Sequence, residues 1–293
     1  MNTLIITGGS IEPSFAQQYL AWFGWDQTIA ADSGLEFCRA ADILPDLILG
    51  DYDSAREETV CYYREHYAER MHTFPAEKDE TDTELALSLA LEAGADHITL
   101  LGATGTRVDH MLGSLQLLIK ARAAGAECLI VDAHNRIRLL GRPEEARHLS
   151  GLPAFQAGRS ASAASSAARK QTGAEEAVRQ GILSSAKSDP QPETLAAGPR
   201  TAPLLQDMLP QTGAQSAPAV EFYLRREEQF GRYVSLLPFT PCVEGLTLTG
   251  FHYNVTDFTL KCGRALGVSN EIEEETAQIS FREGLLLVIE SLD

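Results

Sequence analysis

The segment Pro45-Asp46-Leu47-Ile48-Leu49-Gly50-Asp51-Tyr52-Asp53-Ser54 joins a short apolar run to a pair of acidic residues. A run of this length that stops at glycine and aspartate is typical of a strand buried in a parallel sheet. The chain carries four further runs of the same form, at residues 4–7, 28–31, 97–101 and 127–131. We therefore expect the first part of the chain to form a parallel sheet.

Helical segments separate these strands. Residues 81–93 are rich in leucine and alanine and are followed by Gly94, and residues 109–124 are followed by Gly125. Glycine directly after a helix is a common C-terminal cap. The alternation predicts an α/β domain over residues 1–142, with helices on both faces of the sheet and a ligand site at the carboxyl ends of its strands.

The composition changes after this domain. Residues 143–219 are dense in alanine, serine, glycine, glutamine and proline, so they bury too little apolar surface to offset the entropy of ordering them. We expect a long, flexible, low-complexity insertion there. Residues 220–293 contain six short strand-like runs separated by turn residues, which predicts a C-terminal β-sandwich domain.

Charge and composition argue against several classes of protein. The formal net charge is −17, and a field of this sign repels nucleic acid, although a nucleotide can bind together with a metal cation. The five cysteines form no CxxC pair, which favours reduced thiols over disulfides or a zinc site. The first residues do not resemble a signal peptide, and no apolar stretch is long enough to cross a membrane. We expect a cytoplasmic protein with neither nucleic acid nor membrane as a partner.

Asp51 and Asp53 are the first candidate metal ligands. If the chain stays extended, residues two apart share a face, so both carboxylates point in one direction. Carboxylates together with water and phosphate oxygens suit Mg²⁺. The alternative is an acidic turn on the surface. Asp32, at the end of the preceding strand, is either a further ligand or the N-cap of the next helix.

Lys78-Asp79-Glu80-Thr81-Asp82 forms a second group at the start of a predicted helix. Asp79 and Asp82 are three residues apart and can face the same way. Acidic residues in a first turn also favour the helix dipole, which is the structural alternative. A lysine beside two carboxylates indicates a site for a metal-bound polyphosphate.

Gly102-Ala103-Thr104-Gly105-Thr106-Arg107-Val108-Asp109-His110 follows a predicted strand and begins a helix. The glycines let backbone N–H groups approach phosphate, and a helix N-terminus favours anions. Arg107 can hold phosphate in a bidentate manner. Asp109 can cap the helix or hold Arg107, and His110 is either a phosphate donor or a structural residue. The GxxxxGK[ST] spacing of a Walker A loop is absent.

These groups come from four strand ends, and so many carboxylates repel one another unless a cation lies between them. We therefore infer at least one Mg²⁺. A metal, a phosphate-binding loop and a cationic clamp are the parts expected for phosphoryl transfer.

Five segments, in this order, resemble the thiamine pyrophosphokinase family: ADSG (31–34), PDLILGDYDS (45–54), FPAEKDETD (74–82), LLGATGTRVDH (100–110) and GVSNE (267–271). The resemblance covers nearly the whole chain outside the insertion. It implies an α/β ATP-binding domain, a β-sandwich domain and a homodimer with the thiamine pocket at the subunit interface. It also implies transfer of a diphosphate group from ATP to thiamine, with release of AMP.

The resemblance further implies roles for single residues. Metal binding falls on Asp51, Asp53 and Asp82. The residues that bind nucleotide phosphate or orient thiamine would be Asp32, Lys78, Asp79 and Arg107. Ser269 and Asn270 match the thiamine-pocket motif, whereas from the residues alone they form only a polar turn. Ser33 stands where the family usually has glycine, which could crowd a close approach.

Two other functions are compatible with parts of the pattern. A Mg²⁺-dependent phosphatase with an aspartate nucleophile also places a DxD motif after a strand, and it would release phosphate without AMP. A non-catalytic sensor of thiamine or nucleotide would bind thiamine without turnover.

Overall fold

The computed structural model describes residues 1–73, 80–150 and 220–292. The helices are α1 (Pro13–Trp22), α2 (Gly34–Ala40), α3 (Glu57–His66), α4 (Asp82–Glu92), α5 (Val108–Ala124) and α6 (Pro143–Ser150). The strands before residue 151 are β1 (Asn2–Ile6), β2 (Gln27–Ala31), β3 (Leu47–Gly50), β4 (Met71–Thr73), β5 (His97–Leu101), β6 (Glu127–Val131) and β7 (Asn135–Leu140). The strands after residue 219 are β8 (Val220–Arg225), β9 (Tyr233–Pro238), β10 (Cys242–Thr249), β11 (Val255–Lys261), β12 (Asn270–Glu271), β13 (Thr276–Phe281) and β14 (Leu286–Ser291).

A ten-stranded sheet runs through the molecule in the order β12-β9-β14-β7-β6-β5-β1-β2-β3-β4. Strands β6, β5, β1, β2, β3 and β4 are parallel to one another. All five strands that the sequence predicts for this part are present, and the predicted parallel sheet is confirmed. Strands β4 and β7 are additions to that prediction.

The connectivity of the parallel strands reverses beside β1. The chain passes from β1 through β2 and β3 to β4 in one direction, and then returns to β5 on the other side of β1. Loops after β1 and β5 therefore leave the sheet toward opposite faces, which opens a crevice at the carboxyl ends of these strands.

Helices cover both faces of the parallel strands, as predicted. Helices α1, α2 and α3 enclose one apolar core, with buried residues such as Ile6, Leu35 and Val60. Helices α4, α5 and α6 enclose the other, with buried residues such as Leu87 and Leu118. The strands between these layers are apolar on both sides, because no face of the sheet is left to water.

The last part of the chain is antiparallel. A four-stranded sheet, in the order β11-β10-β13-β8, packs against strands β9 and β14 of the large sheet, which gives the predicted sandwich. Strand β14 belongs to two cores, since Leu287 packs among the helices of the first part, and Leu286 and Val288 pack between the sheets. This alternation follows from the two-residue period of a strand.

The two parts of the chain share one continuous sheet, because β14 pairs with β7 along six residue pairs, from Leu286↔Leu140 to Ser291↔Asn135. Helix α6 begins inside the range predicted as insertion, and its Ala146 is fully buried beside α5. The predicted insertion otherwise lies outside the described residues. None of the helices described here is both long and apolar enough to span a membrane.

Candidate active site

A cleft of about 640 Å³ lies at the reversal point of the parallel sheet. The loops after β1, β2, β3 and β5 line it, together with the first turns of α4 and α5. The carboxyl ends of neighbouring parallel strands meet at one edge, so residues far apart in sequence become neighbours here.

Three of the predicted acidic residues converge at this edge. Asp32 follows β2, and Asp51 and Asp53 follow β3, the neighbouring strand. One carboxylate oxygen from each lies within 4.8 Å of the others. An all-oxygen donor set of this kind suits a hard cation such as Mg²⁺.

The backbone between Asp51 and Asp53 is not extended as the sequence prediction assumed. Tyr52 has a φ of 65°, and the N–H of Asp53 donates to Oδ1 of Asp51 at 3.2 Å. A bulky residue seldom adopts this left-handed conformation. Tyr52 is held in it by burial and by its hydroxyl, which lies 3.2 Å from the carbonyl oxygens of Ile48 and His72. A turn therefore brings the two carboxylates together.

Asp32 has the most perturbed environment of the three. Its φ is 51°, and its Oδ1 is buried without a hydrogen-bond partner among the described residues. Burial raises the pKa of Asp32, and the negative charges of Asp82 and Asp53 add to that effect. Helix α2 begins after Ser33, so the carboxylate of Asp32 is not the cap considered above. A buried acceptor without a donor fits a bound cation.

Asp82, predicted as a third metal ligand, lies in the first turn of α4 and lines the same cleft. The cluster of three carboxylates contains Asp32 in its place. Thr81 caps this helix, with its hydroxyl accepting from the N–H of Glu84 at 3.2 Å. Lys78 and Asp79 lie outside the described residues, and their roles stay predictions.

The loop after β1 lines the cleft, although the sequence analysis assigned it no role. The N–H of Gly9 donates to the carbonyl of Gly102, and that of Ser10 donates to the carbonyl of Thr104, both at 2.8 Å. A Cβ on Gly9 would lie 2.1 Å from the oxygen of Gly102, so only glycine allows the two loops to meet. The signal that could have revealed this loop was the Gly8-Gly9 pair directly after a strand.

Ser33 fits beside the loop after β1 because it lies close to Gly8. A Cβ on Gly8 would lie 2.0 Å from the hydroxyl oxygen of Ser33. The serine that departs from the family pattern therefore occupies space that Gly8 leaves open.

Arg107 and His110 also line the cleft, at the start of α5. Of the two roles considered for Asp109, the structure shows the second, since Arg107 donates to Asp109 through Nη2 at 2.7 Å and through Nε at 3.3 Å. Hydrogen bonds from Arg107 hold the pKa of the Asp109 carboxyl below its usual range. Arg107, the N-cap residue of α5, makes no capping hydrogen bond with its side chain, and a helix N-terminus favours anions.

Ser269 and Asn270 are not among the described residues that line this cleft. They lie at β12, the edge strand of the sheet. Asn270 is buried, and its side chain fixes the backbone of Tyr253, donating to the carbonyl and accepting from the N–H, each at 2.9 Å. Tyr253 is 41% exposed beside them. Tyr253 is a further candidate, which no sequence motif indicated.

The edge strand β12 and the cleft are far apart in one chain. Strands β9, β14, β7 and β6 separate β12 from β5. At about 4.8 Å per strand, the separation along the sheet is roughly 25 Å. The two groups of candidate residues therefore do not meet within one copy of the chain.

The fold and the cleft define an enzyme-like α/β part, with clustered carboxylates and a glycine-rich loop, joined to a β-sandwich. Two family models match: "Thiamin pyrophosphokinase, catalytic domain" over residues 19–130, and "Thiamin pyrophosphokinase, vitamin B1 binding domain" over residues 220–286. Together they span more than half of the chain. The chain belongs to the thiamin pyrophosphokinase family, a family of enzymes.

Individual relatives agree with this membership. Thiamine pyrophosphokinase of Bacillus subtilis (strain 168) is 25% identical over 279 residues, which cover 95% of this chain and 91% of the relative. The crystal structure of thiamine pyrophosphokinase from Bacillus subtilis is similar in fold, with a TM-score of 0.66, 24% identity and full coverage of both chains. That of the Geobacillus thermodenitrificans protein has a TM-score of 0.64 at 24% identity, covering 100% of this chain and 98% of the other.

Proposed function

We propose that the protein transfers a diphosphate group from ATP to thiamine, giving thiamine diphosphate and AMP, with Mg²⁺ as the required cation. The observation that carries this proposal is the cluster of Asp32, Asp51 and Asp53. Two of these residues, Asp32 and Asp51, line a cleft that also contains a glycine-rich loop and Arg107. Membership of the family supports the choice of the two substrates.

The three carboxylates would hold Mg²⁺, and Asp82 adds a further carboxylate to the cleft that Asp32 and Asp51 line. The orphaned oxygen of Asp32 supports its inclusion among the ligands. A cation bound there would neutralise negative charge on the transferred phosphoryl oxygens and on the leaving group.

Nucleotide phosphates would lie against the loop from Gly102 to Arg107 and the N-terminus of α5. The loops after β1 and β5 brace each other, so the phosphate-binding surface is fixed before the nucleotide arrives. Asp109 orients the guanidinium of Arg107 through two N–H groups and leaves its other donors for phosphate. His110, which also lines the cleft, is placed to donate to the same phosphates.

Thiamine would bind beside Ser269 and Asn270, with the exposed ring of Tyr253 as an aromatic wall. Its hydroxyl would then attack the β-phosphorus of ATP in line with the departing AMP. Asp79 and Lys78, next to Asp82 in sequence, are our proposed partners for orienting the hydroxyl and binding phosphate.

The separation between Ser269 and the cleft supports a homodimer. Reacting atoms must come within about 3.5 Å of each other, whereas the two groups lie at different places in one sheet. The β-sandwich of one subunit would therefore deliver thiamine to the cleft of the other. Light scattering should give a mass near 64 kDa, twice the 31.8 kDa of one chain.

We also place the protein in the cytoplasm. Its five cysteines are all free thiols in the structure, including the exposed Cys262, and free thiols persist in reducing compartments.

One assay tests the proposed reaction. The protein is incubated with thiamine and Mg·ATP, and the products are separated and identified. We expect AMP and thiamine diphosphate in equal amounts. Free phosphate without AMP would indicate the phosphatase instead, and thiamine binding seen by calorimetry without any product would indicate the sensor.

A further inference from the structure

The carboxylate of Glu36 connects the two loops that carry the three clustered aspartates. Glu36 lies in α2, one turn after Asp32, and it reaches across to Arg56, three residues after Asp53. Its Oε1 accepts from the backbone N–H of Arg56 at 2.6 Å, and its Oε2 accepts from the Nε of the same residue at 2.8 Å.

The same carboxylate also serves the N-terminus of α3. Oε2 of Glu36 accepts from the hydroxyl of Thr59 at 3.0 Å, and Thr59 is buried. Arg56 is the N-cap residue of α3 and makes no capping bond with its own side chain. Glu36 therefore supplies in trans the negative charge that a helix N-terminus favours.

The contacts of Glu36 with the backbone N–H of Arg56 and the hydroxyl of Thr59 contribute most to this connection. The side chain of Arg56 is 72% exposed, so its ion pair with Glu36 contributes little by itself. The backbone N–H of Arg56 and the hydroxyl of Thr59 are different, since both fix the position of the chain at the start of α3. Burial alone would raise the pKa of Glu36, but hydrogen bonds from Arg56 and Thr59 hold that pKa below its ordinary value.

Without a cation, charge repulsion favours movement of the loop after β3 away from Asp32. Three carboxylates with oxygens within 4.8 Å of one another repel, and Tyr52 holds an unfavourable backbone conformation between two of them. A contact that ties the far end of this loop to α2 opposes that repulsion.

We propose that Glu36 is a positioning residue, which holds the loop from Gly50 to Arg56 so that Asp51 and Asp53 stay beside Asp32 and form a divalent-cation site. This inference rests on the proposed function, because it takes the three aspartates as metal ligands. If only a fraction of molecules keeps the loop in place, the apparent dissociation constant of the cation rises by the inverse of that fraction.

The test measures binding of Mn²⁺ alone to the whole protein, by electron paramagnetic resonance of the free ion. In Glu36→Gln, an NH₂ group replaces one of the two accepting oxygens of the carboxylate. The hydrogen bonds that this oxygen accepts from Arg56, or from Arg56 and Thr59, are then lost. We expect the dissociation constant for Mn²⁺ to rise about tenfold. This is the lower end of the effect of residues that support the metal ligands without binding the metal themselves. Thr59→Val should shift the dissociation constant in the same direction by a smaller factor.

Glu57→Gln is the matched control. Glu57 is exposed in the first turn of α3, the helix that carries Thr59, and its side chain makes no hydrogen bond or ion pair within the parts of the chain that the structure describes. Glu57→Gln removes the same charge as Glu36→Gln and leaves the contacts of Glu36 intact. Its Mn²⁺ affinity should therefore stay within twofold of that of the unchanged protein. Circular dichroism and thermal unfolding confirm that each variant is folded at the assay temperature.

Activity gives a second readout. In Glu36→Gln, saturating Mg²⁺ should restore the maximal rate of AMP formation to within about twofold, because the bound cation pulls the loop back into place. A merely structural role would lower the rate at every Mg²⁺ concentration.

Two negative results have different meanings. If the unchanged protein binds Mn²⁺, Asp51→Asn abolishes that binding, and Glu36→Gln binds as tightly as Glu57→Gln, then the positioning role is wrong and the metal site stands. If the unchanged protein binds no Mn²⁺ that Asp51→Asn removes, then the metal site of the proposed function is wrong, and the role of Glu36 falls with it.

Discussion

The parallel and antiparallel halves of the ten-stranded sheet use the same backbone pairing for different purposes. In the parallel half, every strand ends at one edge, and the loops that follow carry Asp32, Asp51 and Arg107 into a single cleft, with Asp53 clustered beside the two aspartates. In the antiparallel half, neighbouring strands end at opposite edges, and its candidate residues, Ser269 and Asn270, lie at the edge strand β12.

The difference shows where a fold can gather charge. Parallel strand ends bring groups of like charge together and leave backbone strain at Asp32 and Tyr52. The helices and sheets around them must support that arrangement. Among the described residues, the antiparallel half gathers no such carboxylate cluster, although Ser269 also has a left-handed φ of 59°. Asn270 forms its amide hydrogen bonds with the backbone of Tyr253. Under the proposed function, phosphate chemistry belongs to the first half and recognition of thiamine to the second.

Asp51→Asn should have the largest effect on the parallel half. Loss of one metal-binding carboxylate should lower kcat for AMP formation by about 10²–10³, while the folded protein without cation should become slightly more stable because repulsion falls. Glu65→Gln, an exposed change of equal charge on α3, is the control and should leave kcat unchanged. Near-normal AMP formation by Asp51→Asn would break the assignment of chemistry to this half.

Glu290→Gln should have the largest effect on the pairing of β14 with β7, which joins the two parts of the chain in one sheet. Glu290 is fully buried on β14 and binds two arginines of β7, Arg136 at 2.6 and 2.8 Å and Arg138 at 3.3 Å. Removing this charge takes the carboxylate partner from Arg136 and leaves Arg138 with only Glu127, so urea unfolding should show a loss of about 3 kcal/mol. Glu127→Gln, which removes a partly exposed partner of Arg138, should cost less than about 1 kcal/mol. Equal losses of unfolding free energy in both variants would show that the pairing of β14 with β7 does not depend on the buried carboxylate.

Asn270→Ala sharpens the role of the antiparallel half. The backbone of Tyr253 loses two hydrogen bonds, so the ring beside the thiamine site should become less ordered. We expect the KM for thiamine to rise about tenfold, which corresponds to about 1.4 kcal/mol, with the KM for ATP unchanged. Steady-state kinetics with each substrate varied in turn make the comparison. A rise in the KM for ATP instead would contradict the division of roles.

Asp109→Asn should have the smallest effect, since both partners of the pair with Arg107 are exposed. An amide accepts from the guanidinium with one oxygen only, so kcat/KM for ATP should fall about threefold at low salt. The difference should disappear at high salt because exposed charges are screened. A loss that salt does not change would mean that Asp109 acts in some other way.

Much of the fold could be predicted from local patterns. The apolar runs before Gly8, Asp32, Gly50 and Gly102 marked strands, because a buried parallel strand needs apolar residues on both faces. Strand β7 was missed because it follows β6 after only three residues and pairs with β14, more than 140 residues later. No local pattern encodes a partner at that distance.

The residues of the candidate site were easier to predict than their geometry. Asp51, Asp53 and Arg107 were predicted as candidates from their place after strands. Asp32 joins the acidic pair because β2 lies beside β3 in the sheet, and strand order is a property of the whole fold. The left-handed turn at Tyr52 was also hidden, since aromatic residues seldom adopt that conformation.

Coexpression of two inactive variants tests most directly whether the cleft of one copy works with the β-sandwich of another. Asp51→Asn disables the cleft, and Ser269→Arg places a bulky cation where the cationic thiamine should bind. Coexpressed in equal amounts, they should form about half mixed dimers, each with one intact site, and give about a quarter of the unmodified AMP-forming activity. A chain carrying both changes, coexpressed with the unmodified chain, should form mixed dimers without activity. If the first mixture is as inactive as its two parents, thiamine is not delivered by one copy of the chain to the cleft of another.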